Sequence, residues 1–558
     1  MTAPAQPPWL SPLPACTAGV AIALPFLYGH TTPPLSNFWP LAVSGLCAFA
    51  VAAALVAAWA RQPAGAAGDR LHQGAAKAVA AGMLLAGLVG AAIGLAQFFW
   101  GDPGWAPWIY PSTHGVAMGN LRQRNQQATL LCMGAWALAW WVARTQGGES
   151  RRLRPASVAL ALLAFWALAL LAAGAAATAS RTGALEWGCM LVLLLLWRRS
   201  LGAPALALGM AGIALYALFS GLLPILLERW TGFTMDGLFA RLSAPEHACD
   251  NRHVLWSNVL HLIAQRPWTG WGWGELSYAH YITQYPGKRF CLLVDNAHDL
   301  PLHLAVELGL PFALAVCCLA LWLVWRARPW RETDPARQLA WGLLAIVGVH
   351  SLLEFPLWYG PFQLVAVCAL ALLCPRCWRT PARGALRVPL LCAAGLAAGL
   401  WLAGIALLVR DYHRVSQLYL TVDQRDPAFR DDTARRVADS TVFFRDTLDF
   451  ALLTTLQPTR YNAARVHALA SRLLHYSPEP RVIEALIDSA TRLGLEGEAD
   501  FHTRRYRDVY PQEYANWLAK RPAPAAAVAA GDEPFRTTSG PSRTATEPPP
   551  ALGPVHRP

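Results

Sequence analysis

Apolar runs of roughly 20 residues, each long enough to cross a bilayer, recur along this chain and leave few architectures open. Eleven are found, at 11–28, 38–60, 77–100, 127–143, 156–178, 183–197, 201–227, 304–325, 338–354, 356–374 and 386–409. In hydrocarbon every backbone polar group must be satisfied within its own segment, so runs of this length read as helices. The expected fold is an all-α polytopic membrane protein with about eleven transmembrane helices. The sixth run is short, and the ninth and tenth meet at Glu354-Phe-Pro356 with almost no loop. Composition agrees: 55% of the 558 residues are hydrophobic and only 14% charged, against about a quarter charged in soluble proteins.

The net charge of +12 comes mostly from arginine, and its placement explains it. Arg61, Arg70 and Lys77, then Arg144, Arg151, Arg152 and Arg154, then Arg198 and Arg199 fall in alternate loops. So do Arg326, Arg328, Arg331 and Arg337, and finally Arg376, Arg379, Arg383 and Arg387. With eleven spans all lie on one side, which the positive-inside rule makes the cytoplasm. The N-terminus is then inside and the C-terminus outside. The basic excess is therefore topological, and no nucleic-acid partner is expected.

Arg122, Arg124, Arg181, Arg241 and Arg252 break the pattern by falling on the external side near span ends. Each alone reads as a solvated or lipid-facing arginine; several converging suggest an anion site. The long external segment 228–303 collects the remaining chemistry. Asp250 can cap a helix on which Arg252, Trp256, Val259 and Ile263 share one stripe and His253, Ser257, His261 and Gln265 another. The first stripe faces protein or lipid, so Arg252 needs an anionic partner. Gly270-Trp-Gly-Trp-Gly274 gives a tight backbone with two rings suited to the interface or to sugar faces.

Asp295-Asn-Ala-His298-Asp follows. Asp299 can cap a helix starting at Leu300 that runs on as the eighth span. His298 then sits at the positive end of that helix, where an uncharged ring able to accept a proton is favoured. Asp295 and Asn296 surround it. His303 and Glu307, four apart on the same helix and one to two turns into the membrane, form either a supporting pair or a structural one. His350 and Glu354 form a second intramembrane pair, and ionisable residues at such depth are functional candidates. No Asp-x-Asp pair for a divalent ion occurs in the loop, so no metal is expected and the arginines must neutralise any leaving group.

Beyond residue 410 the chain is charged and helix-patterned to about 520, in short amphipathic helices. The segment 521–558 is rich in Pro, Ala, Ser and Thr, a composition expected to be disordered. The expected division is 1–227 and 304–409 in the membrane, 228–303 as external loop, 410–520 as a soluble helical domain, and the tail.

Asp295-Asn-Ala-His-Asp-Leu-Pro-Leu-His-Leu-Ala-Val-Glu-Leu-Gly309 resembles the histidine motif of the O-antigen ligase and polymerase superfamily. Ser180-Arg-Thr-Gly183, Asn251-Arg-His-Val-Leu-Trp256 and Pro267-Trp-Thr-Gly-Trp-Gly272 match its other signatures. Gln123-Arg-Asn-Gln-Gln-Ala-Thr129 and His350-Ser-Leu-Leu-Glu-Phe-Pro-Leu-Trp-Tyr-Gly360 resemble the PglL-type protein O-oligosaccharyltransferases. The resemblance implies an enzyme of the bacterial inner membrane, with the 228–303 loop and C-terminal domain periplasmic. It would transfer a preassembled oligosaccharide from undecaprenyl pyrophosphate to Ser or Thr of an exported, pilin-like protein, without a cofactor. It places the base at His298 and pyrophosphate contacts at Arg181 and Arg252, with Gln123 and Arg124 as further contacts. Arg241, Asp295, Asn296, His303, Glu307, His350, Glu354 and Tyr359 complete the candidate substrate-binding set. Asp299 departs from the family's usual asparagine. An O-antigen ligase acting on lipid A core, a polymerase, or a lipid-oligosaccharide flippase are the alternatives; a flippase should place its polar groups near mid-membrane.

Ten of the twelve cysteines fall in the apolar runs or on the cytoplasmic side. Cys249 and Cys291 lie in the external loop, in an oxidising compartment, and are the candidates for a disulfide.

Overall fold

The computed structural model describes residues 12–62, 68–145, 155–243, 252–374, 378 and 386–521. Asp250, Asn251, Cys249 and the tail from 522 lie outside these. The described chain is helical, and a helix stands at each of the eleven apolar runs. These are α1 (Pro12–Leu27), α2 (Phe38–Ala60), α3 (Asp69–Trp100), α4 (Arg124–Thr145), α5 (Pro155–Ala177), α6 (Arg181–Leu196) and α7 (Arg198–Thr231). After the loop helices α8 (Leu238–Ser243), α9 (Arg252–Gln265), α10 (Leu276–Ile282) and α11 (Leu300–Leu308) come α12 (Leu310–Ala327), α13 (Pro335–Ser351), α14 (Gly360–Leu373) and α15 (Arg387–Ser416). By length and composition six described helices can cross a membrane: Phe38–Ala60, Asp69–Trp100, Val158–Ala177, Arg198–Thr231, Leu310–Arg331 and Arg387–Tyr419. The protein is a polytopic membrane protein.

Helix α4 is the axis of the bundle. Every residue from Gln126 to Trp140 is buried, because α3, α5, α6, α7 and α13 all pack against it. A helix enclosed by protein can carry Gln126, Gln127 and Thr129 at no cost in lipid contact. That explains its low hydropathy beside its central position.

The eighth run differs from the sequence expectation. The helix that Asp299 caps, accepting from Leu302 N at 2.8 Å, does not run on into the membrane. It stops at Gly309, whose φ of +87° breaks the helix before α12 begins with Pro311 in its first turn. His303 and Glu307 therefore lie on α11, ahead of the membrane-length helix. The break is locked by the glycine ladder. Trp271 N and Gly272 N donate to the Val306 and Glu307 carbonyls at 2.9 Å, and Leu310 N to Pro267 O at 2.8 Å. A Cβ on Gly270 would stand 2.3 Å from Glu307 O, and one on Gly309 2.3 Å from Trp268 O. Two backbones this close require glycine on both sides.

Past α15 lie α16 (Thr433–Ala438), α17 (Arg445–Thr455), α18 (Ala463–Tyr476), α19 (Pro480–Arg492), α20 (Glu496–Val509) and α21 (Pro511–Lys520). Val466, Leu473, Ile483, Leu486 and Tyr506 are buried in their core, each large aliphatic contributing about 1.5–3 kcal/mol. Helix α10, in the segment between α7 and α12, docks into this core through Tyr281 and Tyr278. Tyr281 Oη meets His502 Nδ1 at 3.1 Å, and Glu275 meets His475 at 2.8 Å. The C-terminal helices thus hold one end of the segment whose other end carries His298.

Candidate active site

The short turn between α13 and α14 carries Glu354 into the centre of a cluster of polar residues. Its Oε2 accepts from His298 Nδ1 at 2.7 Å. Its Oε1 accepts from Asn125 Nδ2 at 2.8 Å and forms a close ion pair with Arg252. Gln123 Nε2 adds a longer contact of 3.4 Å. Helix α9 buries Leu255, Val259, Leu262 and Ile263, which fixes the face on which Arg252 points inward. Glu354 is the anionic partner that Arg252 required.

A carboxylate only accepts, so His298 carries a hydrogen on Nδ1, and in the neutral ring that tautomer puts the lone pair on Nε2. The ring is about a third exposed while the Glu354 side chain is 5% exposed. Burial alone would push the Glu354 carboxyl up; the His298 hydrogen bond, with the nearby Arg252 guanidinium, overrules it and holds it down at about 2. His298 is held in the left-handed region at φ +52°, and its N–H donates to Asn296 Oδ1 at 2.9 Å. Strained backbone of this kind persists where surrounding contacts over-determine it. Asp299 spends its carboxylate on the cap, and burial pushes that carboxyl up.

Arg181 and Arg252 face one pocket of about 190 Å³, with Thr182, His253 and Trp256 on its walls. Ser180 caps α6, accepting from Gly183 N at 3.0 Å, and its hydroxyl donates to Asn125 Oδ1 at 2.7 Å. Arg181 is thereby fixed to the same residue that braces Glu354. Arg241 donates to the Ala179 carbonyl at 2.9 Å and supports that turn. Arg124 lies within electrostatic reach of Arg241. Tyr359 stands in the field of Arg122, Asp295 and Glu354, within hydrogen-bonding reach of Gln126.

Two expected pairs come out differently. His350 and Glu354 do not bond each other through their side chains. His350 is fully buried and turns to Thr129 at 2.6 Å, while Glu354 turns out to His298. The helix ends at Ser351, and the turn after it swings Glu354 away. His303 and Glu307 do meet, at 3.5 Å, but with side chains 3% and 1% exposed. Burial pushes the His303 ring down to about 4. This pair packs under Trp358, whose ring is 4.9 Å away, and offers no surface to a substrate.

Asn125 and Ser180 stood inside recognised motifs without a role. Glu186 and Thr129 were also missed. A lone acid in the sixth apolar run was a sufficient signal for Glu186.

Three family models match the chain. One described as O-Antigen ligase covers residues 166–317, and one described as Protein glycosylation ligase covers 117–142. The third, described as Virulence factor membrane-bound polymerase, C-terminal, covers 338–523. The General O-oligosaccharyltransferase of Acinetobacter baylyi (strain ATCC 33305 / BD413 / ADP1) is 29% identical over 178 residues. That alignment spans 31% of this chain and 30% of the relative, about a third of each. The matched segments contain Gln123 and Arg124, Arg181, Arg252 and His298, and Glu354, the residues that converge on the site. By these matches the chain is similar to the O-antigen ligase superfamily and, within it, to protein glycosylation ligases.

Proposed function

We propose that the chain is an inner-membrane O-oligosaccharyltransferase that moves a preassembled oligosaccharide from undecaprenyl pyrophosphate to Ser or Thr of exported, pilin-like proteins. The observation that carries the reading is the bridge of Glu354 between His298 and Arg252. Glu354 orients the base, whose Nε2 takes the proton of the acceptor hydroxyl. The hydroxyl oxygen forms the new bond to the anomeric carbon as the bond from that carbon to the pyrophosphate breaks. The pyrophosphate leaves with the electron pair, and Arg181 and Arg252 neutralise it from the shared pocket, without a metal. Eleven spans, the N-terminus in the cytoplasm and the 228–303 loop and C-terminal helices in the periplasm place this site at headgroup level, where the lipid-linked donor presents its phosphates. Asp295, Tyr359, Gln123 and Arg124 are assigned to substrate contacts around this pocket. Cys291 is disulfide-bonded, which supports a Cys249–Cys291 staple across the loop.

The test is mass spectrometry of exported proteins from cells with and without the chain, supplied with a lipid-linked glycan. Glycopeptides modified at Ser or Thr only when the chain is present are expected. The matches to ligase and polymerase models favour a second reading, transfer to lipid A core or to a growing glycan. Unmodified proteins together with lengthened lipopolysaccharide would establish that one instead.

A further inference from the structure

Directly beneath the site lies a buried polar cluster to which the transfer chemistry assigns no part. Thr129 on α4, Glu186 on α6 and His350 on α13 are each fully buried. Thr129 Oγ1 lies 2.6 Å from Glu186 Oε1, 2.6 Å from His350 Nδ1 and 2.9 Å from the Asn125 carbonyl oxygen. The same three helices supply the layer above. Helix α4 gives Asn125, the cap of α6 gives Ser180, and the turn after α13 gives Glu354, whose N–H donates to His350 O at 2.8 Å. The cluster is therefore a joint clamping the three elements that hold Glu354 against His298.

Counting hydrogens limits its protonation. A threonine hydroxyl has one hydrogen and two lone pairs. The Asn125 carbonyl can only accept, and so can a Glu186 carboxylate, yet both oxygens lie within hydrogen-bond distance of that one hydroxyl. All three contacts are satisfied together when the hydroxyl donates to the carbonyl and receives from Glu186 as a carboxylic acid and from His350 Nδ1. An ionised Glu186 would take the hydroxyl hydrogen and leave Oε2, which is buried without a partner, as bare charge. No lysine or arginine among the described residues pairs with it. The titratable groups facing it are His350, Cys132 of α4, Cys189 of its own helix and Tyr216 of α7, none of which is a permanent cation. A lone carboxylate in such surroundings is too costly to keep.

We propose that Glu186 is a neutral, proton-donating positioning residue, and that the Thr129–Glu186–His350 joint sets the placement of Glu354 and hence of His298. The activity readout rests on the transferase reading; the spectroscopic one does not. Infrared spectra of the purified full-length protein should show the carbonyl stretch of a protonated carboxylic acid that is missing from Glu186→Gln. In the transfer assay Glu186→Gln, which keeps a neutral donor, should stay within about threefold of wild type. Glu186→Leu should lose about 10–100-fold in kcat with little change in donor KM, as expected for misplaced catalytic groups. Thr129→Val, apolar and of the same shape, should give the same split and serves if Glu186→Leu does not fold. Identical infrared spectra for wild type and Glu186→Gln would overturn the neutral acid. Full kcat in both apolar variants, or a loss in Glu186→Gln as large as in Glu186→Leu, would overturn the positioning role.

Discussion

His298 Nδ1 stands 2.7 Å from Glu354 Oε2 across 56 residues of sequence, so the proposed base is oriented by a carboxylate on a different hairpin. Removing either partner should therefore disable the same step. His298→Ala and Glu354→Gln are each expected to cost ~10²–10⁴ in turnover, and the double variant no more than the worse single one. Turnover of a lipid-linked donor by folded, membrane-inserted protein is the measurement. Additive losses would separate the two residues functionally.

Arg181 and Arg252 share a pocket, and Arg252 holds Glu354 through one guanidinium nitrogen. Lysine keeps the charge and loses the fork. Either Lys variant should lose about tenfold or more in turnover, a loss of charge-assisted hydrogen bonds worth roughly 1.5 kcal/mol. Turnover should also survive EDTA. Restoration by magnesium after an EDTA block would show that the arginines do not act alone.

Gly270 has φ +67° and its backbone lies against Glu307 O. Gly270→Ala should destabilise the loop by about 1–3 kcal/mol and separate the ladder from α11. Thermal unfolding of the purified variant measures this; an unchanged midpoint would mean the ladder is not what fixes the Gly309 break.

Two buried histidines, His280 inside the loop and His502 at its contact with the C-terminal helices, make this region sensitive to acid. Burial, with Arg289 adding to it, pushes His280 down to about 3, and burial lowers His502 to about 4. In the unfolded chain both rings take up a proton near pH ~6.5. The unfolded state then binds more protons, so the stabilisation is complete above pH ~6.5 and is lost progressively as pH falls toward ~4. The unfolding midpoint should drop across that window, and His502→Gln should flatten the slope. A midpoint that rises on acidification contradicts the assignment.

The disulfide at Cys291 should protect that thiol from alkylation until reductant is added, and peptide mapping should identify Cys249 as its partner. Closing a loop of this length would contribute about 4 kcal/mol. Free labelling of both thiols before reduction would exclude the bridge.

The amino-acid sequence alone determined what depends on local pattern. Apolar runs set the positions of the helices, since a 20-residue stripe without charge can satisfy its backbone in only one way. The Asp299-Leu-Pro301 start set the cap beside His298, and the stripe on α9 set the inward face of Arg252. Those features need no knowledge of what lies across the bundle. The pairing of charges does need it. Spacing of four joined His350 to Glu354 on a single helix, yet one residue past the end of α13 the backbone turns and sends the two side chains to opposite partners. Gly309 broke a helix that hydropathy made continuous, because the backbone at Trp268 occupies the space any side chain there would need. Glu186, Thr129 and Asn125 come from two helices more than 50 residues apart in part, and only packing around α4 brings them to one hydroxyl. Hydrogen-bond partners buried in a helical bundle are chosen by helices that are distant in sequence, and it is that choice which turned a list of candidate residues into a site.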